Sequence, residues 1–146
     1  MRAYFNLAEF ALEEALISLL NERLAEKLLT IGSTDNKNEL ETPSVFVNIH
    51  QAMEPEELHG TATEEVTIGV GISTDTGASR DKHVQAVGML NDLIFSDDFI
   101  TDLNAGRSEG LVVQRVRRRE RTTRVDTDGK TRKTEQVLEV LCSMDG

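Results

Sequence analysis

The chain reads as an α+β domain: a mainly antiparallel sheet of about four strands, two helices on one face, and a protruding C-terminal β-hairpin. Three observations predict it. Leucines between residues 12 and 28 recur at three- and four-residue spacing, the mark of an amphipathic helix. Residues 66–73 alternate apolar with small or polar side chains, the mark of a strand. Residues 110–144 form two extended arms around an Asp-Gly turn. A length of 146 residues favours one domain over 1–146, with arm 110–144 extending from it. A chain of this size buries roughly 70% of its unfolded surface, so it needs no staples. With no Trp and one Tyr, its core must be aliphatic.

Taken in order, Asn6-Leu7-Ala8-Glu9 resembles a capping box. The spacing predicts a first helix to about Leu29, with Leu12, Leu16, Leu19, Leu20, Leu24 and Leu28 on one stripe and Gly32 as terminator. Residues 32–43 are polar and turn-forming. Ser44 to His50 reads as a strand with Val45, Val47 and Ile49 on one face, and residues 51–62 as an acidic loop. Val66, Ile68, Val70 and Ile72 turn to the core. Gly69 and Gly71 leave the other face bare, which points to close approach of another backbone or helix. Ser79 is placed to cap a second helix to about Phe95, with apolar Val84, Val87, Leu90, Leu93 and Ile94. Ser96 starts a short helical piece in which Phe99, Ile100 and Leu103 pack down.

The final hairpin has a first arm from Leu111 to Arg121 and a second from Thr134 to Cys142. Leu111 to Val113 and Val137 to Cys142 suit a core. Arg117 to Arg124 and Lys130 to Thr134 cannot be buried without a large desolvation cost, so the hairpin is expected to leave the domain. A regular strand would put Arg115, Arg117, Arg119 and Arg121 on one face, with Val116, Arg118 and Glu120 on the other. Residues 107–133 hold ten of the sixteen basic side chains against four acids, a local net of +6, although the whole chain carries −10. The remainder is therefore at −16. Such a split calls for an electrostatically complementary partner, either a polyanion or the acidic body of a second copy.

Chemistry is poorly represented. His50 and His59 flank Glu54, Glu56 and Glu57, and imidazole with carboxylate can take a divalent metal, but the spacing matches no defined site. His83 is expected on the surface. Cys142, the single cysteine, lies in an apolar strand, excludes an internal disulfide and fits a reducing compartment. No P-loop, Ser-centred elbow, HExxH or CxxC pair occurs. Neither a catalytic residue, a cofactor nor a metal is assigned. No apolar run approaches roughly 18 residues, and Glu9, Glu13 and Glu14 interrupt any signal-peptide core, so no membrane segment is expected.

A helix, the strand Thr42-Pro43-Ser44-Val45-Phe46-Val47, an alternating strand ending in Ser73-Thr74, a helix with Val84, Val87 and Leu90, the piece Phe99, Ile100 and Leu103, and a final hairpin follow one another. That order, over nearly the whole chain, resembles the tail terminator (tail completion, or minor tail) proteins of tailed bacteriophages. The resemblance implies a non-enzymatic virion subunit, made in the host cytoplasm, that forms a homohexameric ring. The ring caps the tail tube, ends its polymerisation and presents a head-joining surface. Its implied partners are the tail tube protein, a head–neck connector and DNA passing through the lumen. The expected contact sets Arg115, Arg117, Arg118, Arg119, Arg121, Arg124, Lys130 and Arg132 against acids such as Glu54, Glu56 and Glu57 of a neighbour. A competing reading makes the basic hairpin a nucleic-acid-binding ribbon, against which stand the net charge of −10 and the few aromatic side chains.

Overall fold

The computed structural model describes residues 7–24, 30–33, 43–53, 63–127 and 129–144. In chain order the elements are α1 (Ala8–Leu24), β1 (Thr30–Ser33), β2 (Ser44–Met53), β3 (Thr63–Asp75), α2 (Arg80–Ile94), α3 (Phe99–Leu103), β4 (Leu111–Val125) and β5 (Thr131–Met144). The strands make one sheet in the order β1-β2-β3-β5-β4. The fold is α+β, as expected, with one strand more than the four read from the sequence. The extra strand is β1, which pairs parallel with β2 from Thr30 against Ser44 to Ser33 against Val47. Gly32 therefore sits in a strand and does not terminate α1. The Thr30 amide donates to the Pro43 carbonyl, which starts the pairing. A four-residue strand has no room to show alternation, so its sequence signal is lost among turn-forming neighbours.

α1 is a helix because its small and aliphatic residues repeat on one stripe. Ala8, Ala11, Leu12, Ala15, Leu16, Leu19, Leu20 and Leu24 are all buried, while Glu14, Glu22 and Arg23 face water. Its 17 residues span about 25 Å, enough to cross the sheet from β1 to β4. The Asn6 cap, Leu28 and the expected run to Leu29 lie outside the described residues. Leu16, Leu20, Ile68, Val70 and Leu90 belong to one core, as their spacing predicts.

The register fixes which side chains share a face. Val45, Val47 and Ile49 stand opposite Ile72, Val70 and Ile68, which in turn stand opposite Thr134, Gln136 and Leu138. This face carries the core and receives both long helices: α1 packs on it directly, and α2 is held to it through Thr74. The opposite face carries Phe46, Gly69, Gly71 and Glu135. Its bare strip is filled by side chains rather than by a helix. A methyl group at Gly69 would collide with the Glu135 carboxylate, and one at Gly71 with the Phe46 ring and the Thr134 carbonyl oxygen.

α2 starts at Ser79, whose hydroxyl accepts a 3.3 Å hydrogen bond from the Lys82 amide. Its buried positions are His83, Ala86, Leu90 and Ile94, and Val84 is exposed. His83 is thus an inward residue, not a surface one, for a reason given below. In α3 Phe99 and Leu103 are buried, with Ile100 partly so, and the Ser96 hydroxyl accepts from the Asp98 amide.

Candidate interaction surface on the β4–β5 hairpin

The hairpin is anchored at both ends. At its base, the Asn104 side chain bonds both the amide (2.7 Å) and the carbonyl (2.9 Å) of Val113. Arg107 donates to the Asp102 carbonyl and to Glu22 of α1, which ties the preceding loop down. Arg23 and Arg107 together hold the Glu22 carboxyl below its ordinary range. At its tip, Gly129 adopts φ +72, a conformation open to glycine, and its amide donates to the Asp126 carbonyl. The Thr76 amide bonds the Lys130 carbonyl and the Thr76 hydroxyl the Gly129 carbonyl.

This corrects the expectation of a protruding arm. β5 stays paired with β3 from Ser143 to Thr131, so the hairpin is part of the sheet to its tip. Only β4 is an edge. Hydrogen bonding supplies the reason: β3 is long enough to satisfy the whole inner side of β5, including its polar half. Beyond the Asn104 clamp, no other strand among the described residues covers the outer side of β4.

The arginines do not form one regular row. β4 slips its register against β5 between Val113 and Arg115 and again between Arg118 and Arg121. Each slip reverses which face the following residues occupy. Val116, Arg118, Arg121 and Thr123 stand opposite Val140, Leu138, Gln136 and Thr134, on the helix-bearing face; Arg115, Arg117, Thr122 and Arg124 take the other. The Gln136 amide donates to the Arg119 carbonyl at 2.8 Å, which satisfies the second bulge from inside.

Several basic groups are already engaged within the subunit. Arg119 bonds Glu139 at 3.1 Å, and Arg115 lies 3.9 Å from Glu65. Asp126 accepts from Thr131 and lies 3.1 Å from Lys133 and 3.7 Å from Arg124. Those contacts, led by the Thr131 hydroxyl, lower the Asp126 pKa. Arg118 donates to the Ile94 carbonyl at the end of α2 and stacks 4.9 Å over the Phe95 ring. Lys130 sits at the tip turn. Arg117, Arg121 and Arg132 have no ion pair among the described residues. Glu54, Glu56 and Glu57, the acids expected opposite them, lie outside the described residues, as does His59.

Sequence reasoning missed what lies beneath the distal hairpin. His83 Nδ1 is 2.8 Å from the Thr74 hydroxyl, His83 Nε2 is 2.8 Å from the Thr134 hydroxyl, and Thr134 is 2.8 Å from the Thr123 hydroxyl. The ring links α2 to β3, β5 and β4. Both ring nitrogens find hydroxyl partners that accept or donate as needed, which lets a buried imidazole stay neutral. Burial, and then the Arg132 charge, lower its pKa. Beside it, α2 and the hairpin line an open cavity of about 540 Å³. On the opposite face, His50 Nε2 lies 2.9 Å from Glu135. Among the described residues, no group of three or more His, Cys, Asp or Glu side chains could hold a metal. Burial pushes the Cys142 thiol up to about 12, which leaves it protonated and inert. No described helix is long and apolar enough to cross a membrane.

Compared with known proteins, the chain matches no family model and no curated protein. The geometry alone describes a long basic sheet edge, clamped at its base and tip, on a domain whose remaining charge is acidic.

Proposed function

We propose that the chain is a structural subunit of a phage tail terminator ring, which caps the tail tube and offers the surface on which a head is joined. One observation carries the reading furthest. β4 is a 15-residue edge strand with an exposed arginine face, on a chain that carries −16 outside residues 107–133. A closed ring joins unlike edges of identical subunits, and the two edges here, β4 and β1, are unlike in length and charge. Opposite charges on two parts of one chain favour that contact, and strand addition along β4 would supply backbone hydrogen bonds. The order of elements that resembles the terminator proteins supports the same assignment, with a hexamer, a tail tube protein, a head–neck connector and lumenal DNA as expected partners in the virion neck. No step of this role needs a catalytic residue.

Size-exclusion chromatography with light scattering, with and without DNA, tests it. A discrete ring without DNA, weakened by salt through screening, is expected. Arg117→Glu should leave circular dichroism unchanged and weaken the ring. A monomer that shifts only with DNA would overturn the reading in favour of a nucleic-acid-binding ribbon.

A further inference from the structure

The cavity between α2 and the distal hairpin holds more positive charge than the fold uses. Arg80 of α2, Arg121 of β4 and Arg132 of β5 line it, and among the described residues none has an ion pair. Nη1 of Arg132 is buried with no hydrogen-bond acceptor. A buried cationic donor without a partner is costly, and neighbouring cations repel. A bound anion would relieve both costs. Of the other polar lining, His83, Thr134 and Thr123 are joined in one chain of hydrogen bonds, and Asn91 adds a side-chain amide that can donate to an anion. The opposite wall is Val84, Val87 and Gly88, at three- and four-residue spacing on one helix face, and Val84 is exposed to it without packing. The volume, about 540 Å³, lies within the range of about 300–1,000 Å³ usual for small-molecule sites.

We propose that this cavity binds a terminal phosphate monoester on a nucleoside-sized body, with Arg121 and Arg132 on the phosphate oxygens and the Val84, Val87 and Gly88 wall against the body. A phosphate dianion neutralises more of three guanidinium charges than a single carboxylate does, and planar guanidinium forks match its oxygens in pairs. Arg80 supplies the third charge. The apolar wall rewards an organic body over inorganic phosphate. A free mononucleotide and the 5′-phosphorylated end of a nucleic-acid strand present the same chemistry. The site does not depend on the ring reading, because its lining comes from one subunit.

Isothermal titration of the full chain tests it, with adenosine monophosphate, adenosine, and one oligonucleotide with and without a 5′-phosphate as probes. Saturable one-to-one binding of the monophosphate, and none of adenosine, is expected. Arg121→Gln and Arg132→Gln should each weaken it about tenfold or more, the usual scale for a lost charge-assisted hydrogen bond. Arg117→Gln removes the same charge from the same strand on the opposite face, and should change affinity by less than about twofold, since exposed charges contribute little. Val84→Glu places a carboxylate in the exposed wall and should abolish binding with circular dichroism unchanged; it carries the test if Arg132→Gln fails to fold. Tighter binding of the 5′-phosphorylated oligonucleotide than of the monophosphate assigns the site to strand ends, and equal or weaker binding assigns it to free nucleotides. If neither phosphate monoester binds saturably, or if Arg117→Gln weakens binding as much as Arg121→Gln, the proposal fails.

Discussion

Near its base the β4–β5 ladder turns Val113, Val116, Leu138, Val140 and Cys142 towards α1 and α3; near its tip the same ladder turns Arg121, Thr123, Arg132 and Thr134 towards α2. β5 stays paired with β3 through both halves, and β4 rejoins β5 after each slip of register, so backbone hydrogen bonding does not by itself distinguish them. Side-chain chemistry does. The base buries aliphatic groups in a dry core, and the tip keeps a polar cavity bridged by His83. A single hairpin thereby combines a half that stabilises the domain with a half that leaves charge available to another molecule.

Cavity-forming substitutions should separate the two halves most sharply. Leu138 is fully buried between its neighbours Ile68 and Arg118 in the sheet. Leu138→Ala should cost about 2–5 kcal/mol in chemical denaturation. Arg121→Ala, in the tip half, should stay within about 0.5 kcal/mol of the parent, as exposed positions do. Comparable losses at the two sites would show that the tip is also core.

Filling the bare strip is the next largest perturbation. A methyl group at Gly71 meets the Phe46 ring and a backbone carbonyl that cannot swing away, so Gly71→Ala should destabilise by about 1–3 kcal/mol. For Gly69→Ala the nearest obstruction is the Glu135 side chain, which can move at the expense of its bond to His50. It should cost less. Denaturation curves for the two variants, with the ¹H–¹⁵N signals of the His50 ring, distinguish the cases: only Gly69→Ala should release His50.

What the sequence disclosed follows the range of the interactions. The α1 stripe from Leu12 to Leu24, the Val66 to Ile72 alternation, the Ser79 cap and the turn at Gly129 depend on neighbours a few residues apart, and they are where the pattern places them. His83 depends on a hydroxyl 51 residues away, and Gly69 on a carboxylate that reaches His50 across 85 residues. No local pattern encodes either pairing. The arginine faces were unreadable for a different reason. A strand sequence carries no mark of a bulge, and each slip of register reverses the alternation. The cavity inherits both gaps, since it needs the second slip to bring Arg121 over His83.

The His83 bridge makes the tip half sensitive to acid where the base half is not. Burial and the charge of Arg132, with Arg121 and Arg80 also lining the cavity, disfavour an imidazolium. The folded pKa therefore lies below the unfolded value of 6.5. Stability from this bridge is full above that value and is lost as pH falls below it towards the folded pKa, because the unfolded chain then takes up the proton first. Denaturation midpoints between pH 7.5 and pH 5 should fall, and His83→Gln should flatten that part of the slope. An unchanged slope would remove His83 as its source.

The smallest effect separates two arginines on one strand. Glu139 stands opposite Arg117 in the register, yet its carboxylate bonds Arg119. Arg119 is half exposed, so its ion pair should contribute less than about 1 kcal/mol, and salt should reduce it further. Arg117 has no ion pair among the described residues, so Arg117→Ala should leave stability within about 0.5 kcal/mol of the parent. Assembly should rank them the other way. A guanidinium that is already paired offers little to a neighbour, whereas a free one offers its full charge at an open edge. Sedimentation velocity should therefore show Arg117→Ala weakening the ring more than Arg119→Ala, although denaturation ranks Arg119→Ala as the costlier change. If one variant leads in both measurements, pairing within the subunit does not decide which arginines are available to a partner, and the division of the hairpin into a stabilising half and an interacting half loses its electrostatic basis.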